Sequence, residues 1–210
     1  MAYSVKEIFY TLQGEGRNAG RAAVFCRFSG CNLWSGREAD RQGAICRFCD
    51  TDFVGVNGSG GGRFLTAGQL SDAIFSAWRG GDGQRLVVLT GGEPLLQVDE
   101  ALIRALRDER FEIAVETNGT IAAPCDLDWI CVSPKAGAPL VQTSGHELKL
   151  VFPQVGAEPA SFEALDFAHF LLQPMDGPDR RANTAATIAY CMAHPKWRFS
   201  LQTHKVIGIR

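Results

Sequence analysis

Seven cysteines are the side chains of this sequence best suited to bind a metal or a cluster, and four of them fall early in the chain. Cys31, Cys46 and Cys49 form a C-x14-C-x2-C pattern, and Cys26 lies five residues before its first cysteine. Four thiolates could complete a tetrahedral zinc site, whereas three could hold an iron–sulfur cubane that keeps one iron open for another ligand. The spacing alone leaves zinc and an iron–sulfur cluster as about equal alternatives.

The position of Cys26 counts against a four-cysteine site. Cys26 lies inside an apolar run, on the same predicted strand face as Val24 and Phe28. A thiol in such a place behaves as a small buried hydrophobic group. The remaining cysteines are scattered and are interpreted as core or incidental thiols: Cys125, Cys131 and Cys191.

Polar side chains interrupt or end nearly every apolar run of the sequence. They are Arg27, Thr90, Glu116, Ser133, Lys149 and Gln173. In parallel α/β folds the carboxyl ends of the strands carry the site, although any one of these residues could also mark a strand that reaches solvent. That second explanation is weaker for Arg27 and Lys149, because a charge inside an apolar run requires a partner or a ligand.

The apolar runs themselves predict strands, because each has strand length and lies near turn residues. They cover residues 23–28, 85–90, 112–116, 129–133, 147–152 and 167–173, with a seventh at 198–203. Three helices are predicted between them. One begins after the N-cap Thr66 and ends at Gly80, a second spans 99–110, and a third spans 183–194 with Asn183 as its cap.

Strands that alternate with helices predict parallel βα units and an α/β fold. A closed eight-fold barrel takes about 250 residues, and residues 29–63 form a Cys- and Gly-rich excursion without an obvious strand. We therefore predict one domain over residues 1–210. Its fold is an incomplete TIM-like barrel of about six parallel strands and three main helices, with an extended cluster-binding loop at about 29–63. An open doubly wound sheet is the alternative.

Composition excludes several classes of function. Lys plus Arg is 21 and Asp plus Glu is 23, a net charge of −2, so a broad nucleic-acid surface is not expected. No apolar run approaches the roughly 20 residues that span a membrane. Lys6 and Glu7 interrupt the first apolar stretch, which is therefore not a signal peptide. We expect a cytoplasmic protein whose thiols are not structural disulfides.

Several motifs, taken together, resemble the radical S-adenosylmethionine superfamily. They are Cys31, Cys46, FCDT at 48–51, TGGEP at 90–94 and ETNG at 116–119. The usual cysteine spacing in that superfamily is C-x3-C-x2-C, so the gap of fourteen residues departs from it. A narrower resemblance, to the 7-carboxy-7-deazaguanine synthases of queuosine biosynthesis, is carried by EIFYTLQGEG at 7–16, CRFSGCNLW at 26–34 and QTHK at 202–205.

The resemblance implies an enzyme, a carbon–nitrogen lyase. It would use a [4Fe-4S] cluster and S-adenosylmethionine to generate a 5′-deoxyadenosyl radical. The radical takes a hydrogen from 6-carboxy-5,6,7,8-tetrahydropterin, the ring contracts, ammonia leaves and 7-carboxy-7-deazaguanine forms. The cofactors carry this chemistry, and the protein must orient the reactants. A homodimer, stimulation by Mg²⁺ and a flavodoxin-like reductant are further family expectations.

The same resemblance assigns site residues by motif. The cluster ligands are Cys31, Cys46 and Cys49. The cofactor-binding residues are Phe48, Cys49, Asp50, Gly92, Glu116, Asn118, Ser133, Pro134, Lys135, Gln173, Pro174, Met175 and Asp176. The substrate-binding residues are Leu12, Gln13, Gly14, Glu15, Arg27, Thr90, His204 and Arg210. Thr51 is the expected Mg²⁺ ligand, with Asp50 as the alternative on grounds of charge.

Two other functions remain open at this stage. One is a non-enzymatic zinc-binding adaptor that uses Cys26 together with the three cysteines of the pattern. The other is an activase that installs a glycyl radical on a partner protein, which would share the cluster and the Gly-Gly-Glu motif but would need neither the TLQGEG block nor a tail shaped for a pterin.

Overall fold

The computed structural model describes residues 2–209, which form nine strands and four α-helices. The strands are β1 (Tyr3–Leu12), β2 (Ala22–Phe28), β3 (Gly62–Phe64), β4 (Arg85–Gly91), β5 (Phe111–Thr117), β6 (Trp129–Val132), β7 (Ser144–Phe152), β8 (Asp166–Pro174) and β9 (Trp197–Phe199). The α-helices are α1 (Ala67–Ala77), α2 (Glu100–Asp108), α3 (Arg180–Ala193) and α4 (Thr203–Ile207). Short 3₁₀ helices cover Glu38–Gly43, Pro94–Leu96 and Pro159–Phe162.

All nine strands belong to one sheet, in the order β3-β1-β2-β4-β5-β6-β7-β8-β9. From β2 to β9 each strand pairs in parallel with the next one in the order. A doubly wound sheet would reverse its strand order at a switch point, so the sequential order rules that alternative out. The described ends of the sheet, β3 and β9, do not pair with each other. The prediction of an incomplete barrel is therefore confirmed.

Two strands of the sheet were not predicted. β1 pairs antiparallel with both β2 and β3 and extends the sheet at one edge. The charges of Lys6 and Glu7 hide β1 in the sequence, and β3 has only three residues. The seventh predicted strand is wrong beyond residue 199, because the chain leaves the sheet there and α4 begins at Thr203.

The outer face of the sheet is apolar because α1 and α2 cover it. Val87 and Leu89 of β4 pack into a core that also contains Ile74 of α1 and Leu106 of α2. The alternate residues of β4, Leu86 and Val88, join a smaller apolar cluster on the inner face. On that face polar side chains replace apolar ones toward the carboxyl ends of the strands, so the apolar cluster forms a floor below a polar cavity.

α1 and α2 begin where the sequence predicts, whereas α3 begins earlier and α1 ends at Ala77 instead of at the predicted Gly80. The Thr66 hydroxyl accepts the Gln69 N–H at 3.2 Å, as expected of an N-cap. The prediction of Asn183 as the cap of α3 is wrong, since α3 starts one turn earlier, after Asp179. Asn183 instead donates its side-chain amide to the Met175 carbonyl at 3.0 Å and ties α3 to the end of β8.

Within residues 2–209 the longest helix, α3, has 14 residues. No helix in this part of the chain is long and apolar enough to cross a membrane.

Candidate active site

A cavity of about 360 Å³ opens at the carboxyl ends of the parallel strands, on the inner face of the sheet. All but two of the predicted site residues line it: Leu12, Gln13, Gly14, Glu15, Arg27, Cys31, Cys46, Phe48, Cys49, Asp50, Thr51, Thr90, Gly92, Glu116, Asn118, Ser133, Lys135, Gln173, Pro174, Met175, Asp176 and His204. Pro134 lies outside the cavity and lines a smaller neighbouring pocket. Arg210 is outside the described residues. The individual roles of these residues stay predictions.

Three thiols occupy one end of the cavity. Cys31, Cys46 and Cys49 all line it, and the Leu33 N–H donates to the Cys31 sulfur at 3.4 Å. A hydrogen bond from Cys46 and the backbone N–H of Thr51 lower the pKa of Cys49 to about 6 against the effect of burial. Backbone donors aimed at sulfur are a feature of protein-bound iron–sulfur clusters.

Cys26 does not join these thiols. It is fully buried on the opposite face of β2, in the core beneath α1, and burial raises its pKa. Among the described residues, no three His, Cys, Asp or Glu side chains are arranged to hold a single metal ion. Three thiols around one cavity end suit a multi-iron cluster, and the four-cysteine zinc site is wrong because Cys26 faces away.

The two glycines at the end of β4, Gly91 and Gly92, bring this strand against the segment that precedes Cys31. Gly91 has φ +129°, and a β-carbon on Gly92 would collide with the Gly30 carbonyl. The Glu93 N–H donates to the same Gly30 carbonyl at 2.9 Å. The absence of side chains on these glycines thus allows a close approach to the backbone that carries Cys31.

The carboxylate of Glu93 is buried and braces the end of β5. It accepts hydrogen bonds from the Thr117 hydroxyl at 2.8 Å, the Asn118 N–H at 2.7 Å and the Leu95 N–H at 3.0 Å. Burial raises its pKa, while these donors act in the opposite direction. Asn118 in turn donates its side-chain amide to Asn32 at 3.0 Å. Glu93 therefore fixes Asn118, whose side chain reaches Asn32 in the segment after Cys31.

Lys135 places a half-buried cation between the thiols and the end of β6. Its Nζ donates to the carbonyl and the hydroxyl of Ser133 at 2.6 and 2.7 Å, and it lies 6.0 Å from the centre of the Phe48 ring. Burial lowers the pKa of Lys135, and the neighbouring Cys46 and Cys49 oppose that shift. A cation there suits an anionic group such as a carboxylate.

The other end of the cavity holds linked acidic and amide side chains. Glu116 accepts hydrogen bonds from Gln13 at 3.0 Å and Thr90 at 3.1 Å. Lys149 lies 2.5 Å from Glu15 and 3.6 Å from Glu116. Burial would raise the pKa of Glu15, but Lys149 and the Gln202 amide lower it to about 2. Glu15 is thus an ionised hydrogen-bond acceptor.

The sequence predicts that the charge of Arg27 requires a partner, and the structure provides one on β1. Arg27 Nε donates to Glu7 at 2.9 Å, and the guanidinium lies 6.0 Å from the centre of the Phe9 ring. Both Glu7 and Phe9 also line the cavity. Sequence reasoning missed these two residues because it did not predict β1.

The C-terminal segment closes the acidic end of the cavity. Thr203 donates its N–H and its hydroxyl to the Gly14 carbonyl at 2.8 and 2.7 Å. The His204 ring packs where a side chain at Gly14 would stand. Gln202 donates to Glu15 at 3.0 Å, so Gln202 is a cavity residue that the predicted site omitted. Its signal was present, since Gln202 belongs to the QTHK motif.

Lys205, another residue of that motif outside the predicted site, joins three parts of the chain. Its Nζ lies 2.5 Å from Asp50 and 2.6 Å from Asp176. Asp50 follows the last cysteine of the pattern, and Asp176 follows β8. The ion pairs connect α4 to both of these segments.

A sequential parallel half-barrel, with three thiols beside a Gly-Gly-Glu turn, defines the radical S-adenosylmethionine class of enzymes. In agreement, residues 43–146 match the Radical SAM superfamily. The chain is 68% identical to the 7-carboxy-7-deazaguanine synthase of Caulobacter vibrioides and 66% identical to that of Bradyrhizobium diazoefficiens, with all of both chains covered in each case. The crystal structure of QueE from Escherichia coli is similar, with a TM-score of 0.73 and 27% identity over 97% of this chain and 95% of that one. The chain belongs to the 7-carboxy-7-deazaguanine synthase family.

Proposed function

We propose that this radical S-adenosylmethionine enzyme converts 6-carboxy-5,6,7,8-tetrahydropterin to 7-carboxy-7-deazaguanine, with ring contraction and loss of ammonia, for queuosine biosynthesis. One observation carries the proposal: a single cavity joins three thiols at one end to the Glu15–Lys149–Glu116 group at the other. A family member needs both ends, because a cluster-bound cofactor must meet a polar bicyclic substrate in a fixed geometry.

The thiol end suits the cofactors. Cys31, Cys46 and Cys49 would hold a [4Fe-4S] cluster, with its fourth iron open to the amino and carboxylate groups of S-adenosylmethionine. When bound, these cofactors supply the one-electron chemistry that begins with removal of a substrate hydrogen. Lys135 would pair with the methionine carboxylate, since its amine lies among Ser133, Cys46 and Cys49.

The remaining cofactor contacts fall on the strand ends between the two cavity ends. Glu116 and Asn118 would bind the ribose, and the segment 173–176 after β8 would border the adenine. Pro134 lines the smaller pocket. We therefore propose that it shapes the turn between Ser133 and Lys135 and does not contact the cofactor directly. Phe48 would offer an aromatic edge to the adenine base.

The acidic end suits the pterin. Its amino group and ring N–H form a donor edge, which an ionised Glu15 accepts. Arg27 would bind the substrate carboxylate, because a guanidinium fork matches a carboxylate. Gln13, Thr90 and His204 complete the polar wall, with Leu12 and Gly14 beside them. We expect Arg210 to bind the substrate as well.

Thr51 is the proposed Mg²⁺ position. Its neighbour Asp50 already receives Lys205 at 2.5 Å, which supports Thr51 over Asp50 as the available ligand. Substrate oxygens and water would complete the octahedron. A homodimer, a flavodoxin-like electron donor, a cytoplasmic location and a single functional domain over 1–210 complete the proposal and rest on the family.

The test is direct. Protein reconstituted anaerobically with iron and sulfide is reduced and incubated with S-adenosylmethionine, Mg²⁺ and 6-carboxy-5,6,7,8-tetrahydropterin. Mass spectrometry should detect 7-carboxy-7-deazaguanine and an equal amount of ammonia. The Cys31→Ala protein is the matched control and should give neither. Cofactor cleavage without any deazaguanine would contradict the proposed substrate.

A further inference from the structure

Lys149 is a buried cation that bridges two carboxylates from distant parts of the chain. It lies in β7, its side chain is 7% exposed, and its Nζ is 2.5 Å from Glu15 and 3.6 Å from Glu116. Glu15 lies in the segment between β1 and β2, whereas Glu116 lies near the end of β5. Lys149 therefore sets the distance between Glu15, the proposed hydrogen-bond acceptor for the substrate, and Glu116, the proposed acceptor for the ribose.

Negative charge is in excess around this lysine. Glu147, also buried, accepts the Arg17 N–H at 2.7 Å and the Cys131 thiol at 3.3 Å, and it acts on Lys149 electrostatically together with Glu15 and Glu116. One ammonium group thus faces three carboxylates. Without the ammonium group, Glu15 would lose the cation that lowers its pKa and would take up a proton more readily, because an unpaired charge away from water is costly.

Glu15 is the acid whose charge state matters for binding. Its Oε2 accepts Lys149 and its Oε1 accepts Gln202, which leaves about two of the four lone-pair directions of a carboxylate for other donors. A protonated Glu15 would keep its carbonyl acceptor but would turn the other oxygen into a donor. The donor edge of a pterin would therefore lose one acceptor and the charge that strengthens the remaining hydrogen bond.

We propose that Lys149 is a positioning residue for the substrate, which holds Glu15 as an acceptor for the donor edge of the pterin and keeps it in register with Glu116. The inference rests on the proposed function, in which Glu15 binds that edge. Lys149 also lines the cavity, but the proposed role is carried by its contacts to Glu15 and Glu116 and requires no contact with the pterin.

The groups that face Glu15 determine the expected pH dependence. They are Lys149 from β7, Gln202 and His204 from the C-terminal segment, and Glu116 across the lysine. Lys149 and His204 favour the ionised form of Glu15, whereas burial disfavours it. Removal of Lys149 should therefore move the titration of Glu15 upward, toward the working pH.

The experiment measures the affinity of the reconstituted holoenzyme for 6-carboxypterin, an oxidised analogue that keeps the donor edge and the carboxylate. Fluorescence titrations run from pH 6 to pH 9 with S-adenosylmethionine present. The wild-type affinity should be flat across this range. For Lys149→Met it should be at least tenfold weaker at pH 6 and should recover as the pH rises, because Glu15 ionises. Lys149→Arg should restore the flat profile.

Two controls keep the test decisive. Lys6→Met removes another largely buried lysine, whose partner is Asp52 at 2.9 Å, and should leave the flat profile unchanged. If Lys149→Met does not fold alone, Glu15→Gln is used instead, by itself and together with Lys149→Met, since the double variant leaves no unpaired charge on Glu15. The amide needs no cation, so the double variant should bind as the single one does.

The outcomes are separable. A flat profile of wild-type strength in Lys149→Met overturns the role of Lys149, as does a further loss of affinity when Lys149→Met is added to Glu15→Gln. Wild-type holoenzyme that does not bind 6-carboxypterin at any pH overturns the proposed function and this inference with it.

Discussion

The carbonyl oxygen of Gly30 stands where a β-carbon of Gly92 would lie. The end of β4 and the segment before Cys31 are therefore in direct backbone contact, which the Glu93 N–H extends with a 2.9 Å hydrogen bond to the same carbonyl. The Gly-Gly-Glu motif thus helps to set the position of a proposed cluster ligand.

Replacement of Gly92 by alanine should push these two segments apart. Overpacking of this kind costs about 1–3 kcal/mol of unfolding free energy, and the iron content after anaerobic reconstitution should fall with it. Urea unfolding and iron analysis measure both effects. Gly43→Ala is the matched control, because a β-carbon there meets nothing within 4 Å in the same excursion. Equal behaviour of the two variants would show that the contact carries no strain.

The cysteine assignment predicts opposite results for two neighbouring thiols. Cys31→Ala should abolish cluster assembly, because Cys31 lines the cavity. Cys26→Ala should keep the iron and the broad visible absorption, and should lower the unfolding free energy by only about 1 kcal/mol through a small core cavity. Loss of iron from Cys26→Ala, or full iron in Cys31→Ala, would contradict the assignment.

Most of the strand framework was predictable because the parallel strands are buried on both faces. Such strands appear as continuous apolar runs, and all six main runs became strands within a few residues of their predicted ends. β1 was not predictable in this way because it lies near the edge of the sheet and carries Lys6 and Glu7. α4 was missed for another reason, since it has five residues and depends on contacts to Gly14, Asp50 and Asp176.

The predicted site residues gather in one cavity because the motifs that carry them sit at strand ends. The ion pairs among these residues could not be predicted from the sequence. The Lys149–Glu15 contact spans 134 positions, and the Arg27–Glu7 pair requires the antiparallel register of an unpredicted strand. A motif names a residue type at a position, whereas an ion pair depends on the register and curvature of the whole sheet.

Arg27 should act on the substrate more than on the cofactor. Removal of a charge-assisted bond to a carboxylate costs about 1.5–3 kcal/mol, so Arg27→Ala should weaken 6-carboxypterin binding roughly 10- to 100-fold. Formation of 5′-deoxyadenosine without substrate should change far less. Arg27→Lys keeps a cation for Glu7 and separates the loss of the planar fork from the loss of charge. An equal loss of pterin binding and cofactor cleavage would count against a substrate role.

The ion pairs of Lys205 with Asp50 and Asp176 hold α4 against two segments of the cavity wall. α4 begins beside Gln202 and contains His204, so the placement of both depends on this contact. Lys205 keeps the pKa of Asp176 below its usual value. Its own hydrogen bonds to Asp50 and Asp176 raise the pKa of Lys205 against the effect of burial.

Lys205→Met should therefore weaken both the fold and the binding of the pterin. The partly exposed pairs are worth about 0.2–1 kcal/mol each. Asp176 has a depressed pKa, so its share of the unfolding free energy is present above about pH 4 and disappears as the pH falls through the lowered value. Lys205 has a raised pKa, so its share persists to about pH 10 and is lost above it. Urea unfolding should show a constant difference in unfolding free energy between wild type and Lys205→Met from pH 5 to pH 9, and a smaller difference at pH 3.

The affinity of Lys205→Met for 6-carboxypterin should fall several-fold, and that of Lys205→Arg should stay close to wild type. Unchanged stability and affinity in Lys205→Met would mean that α4 stays in place without these pairs.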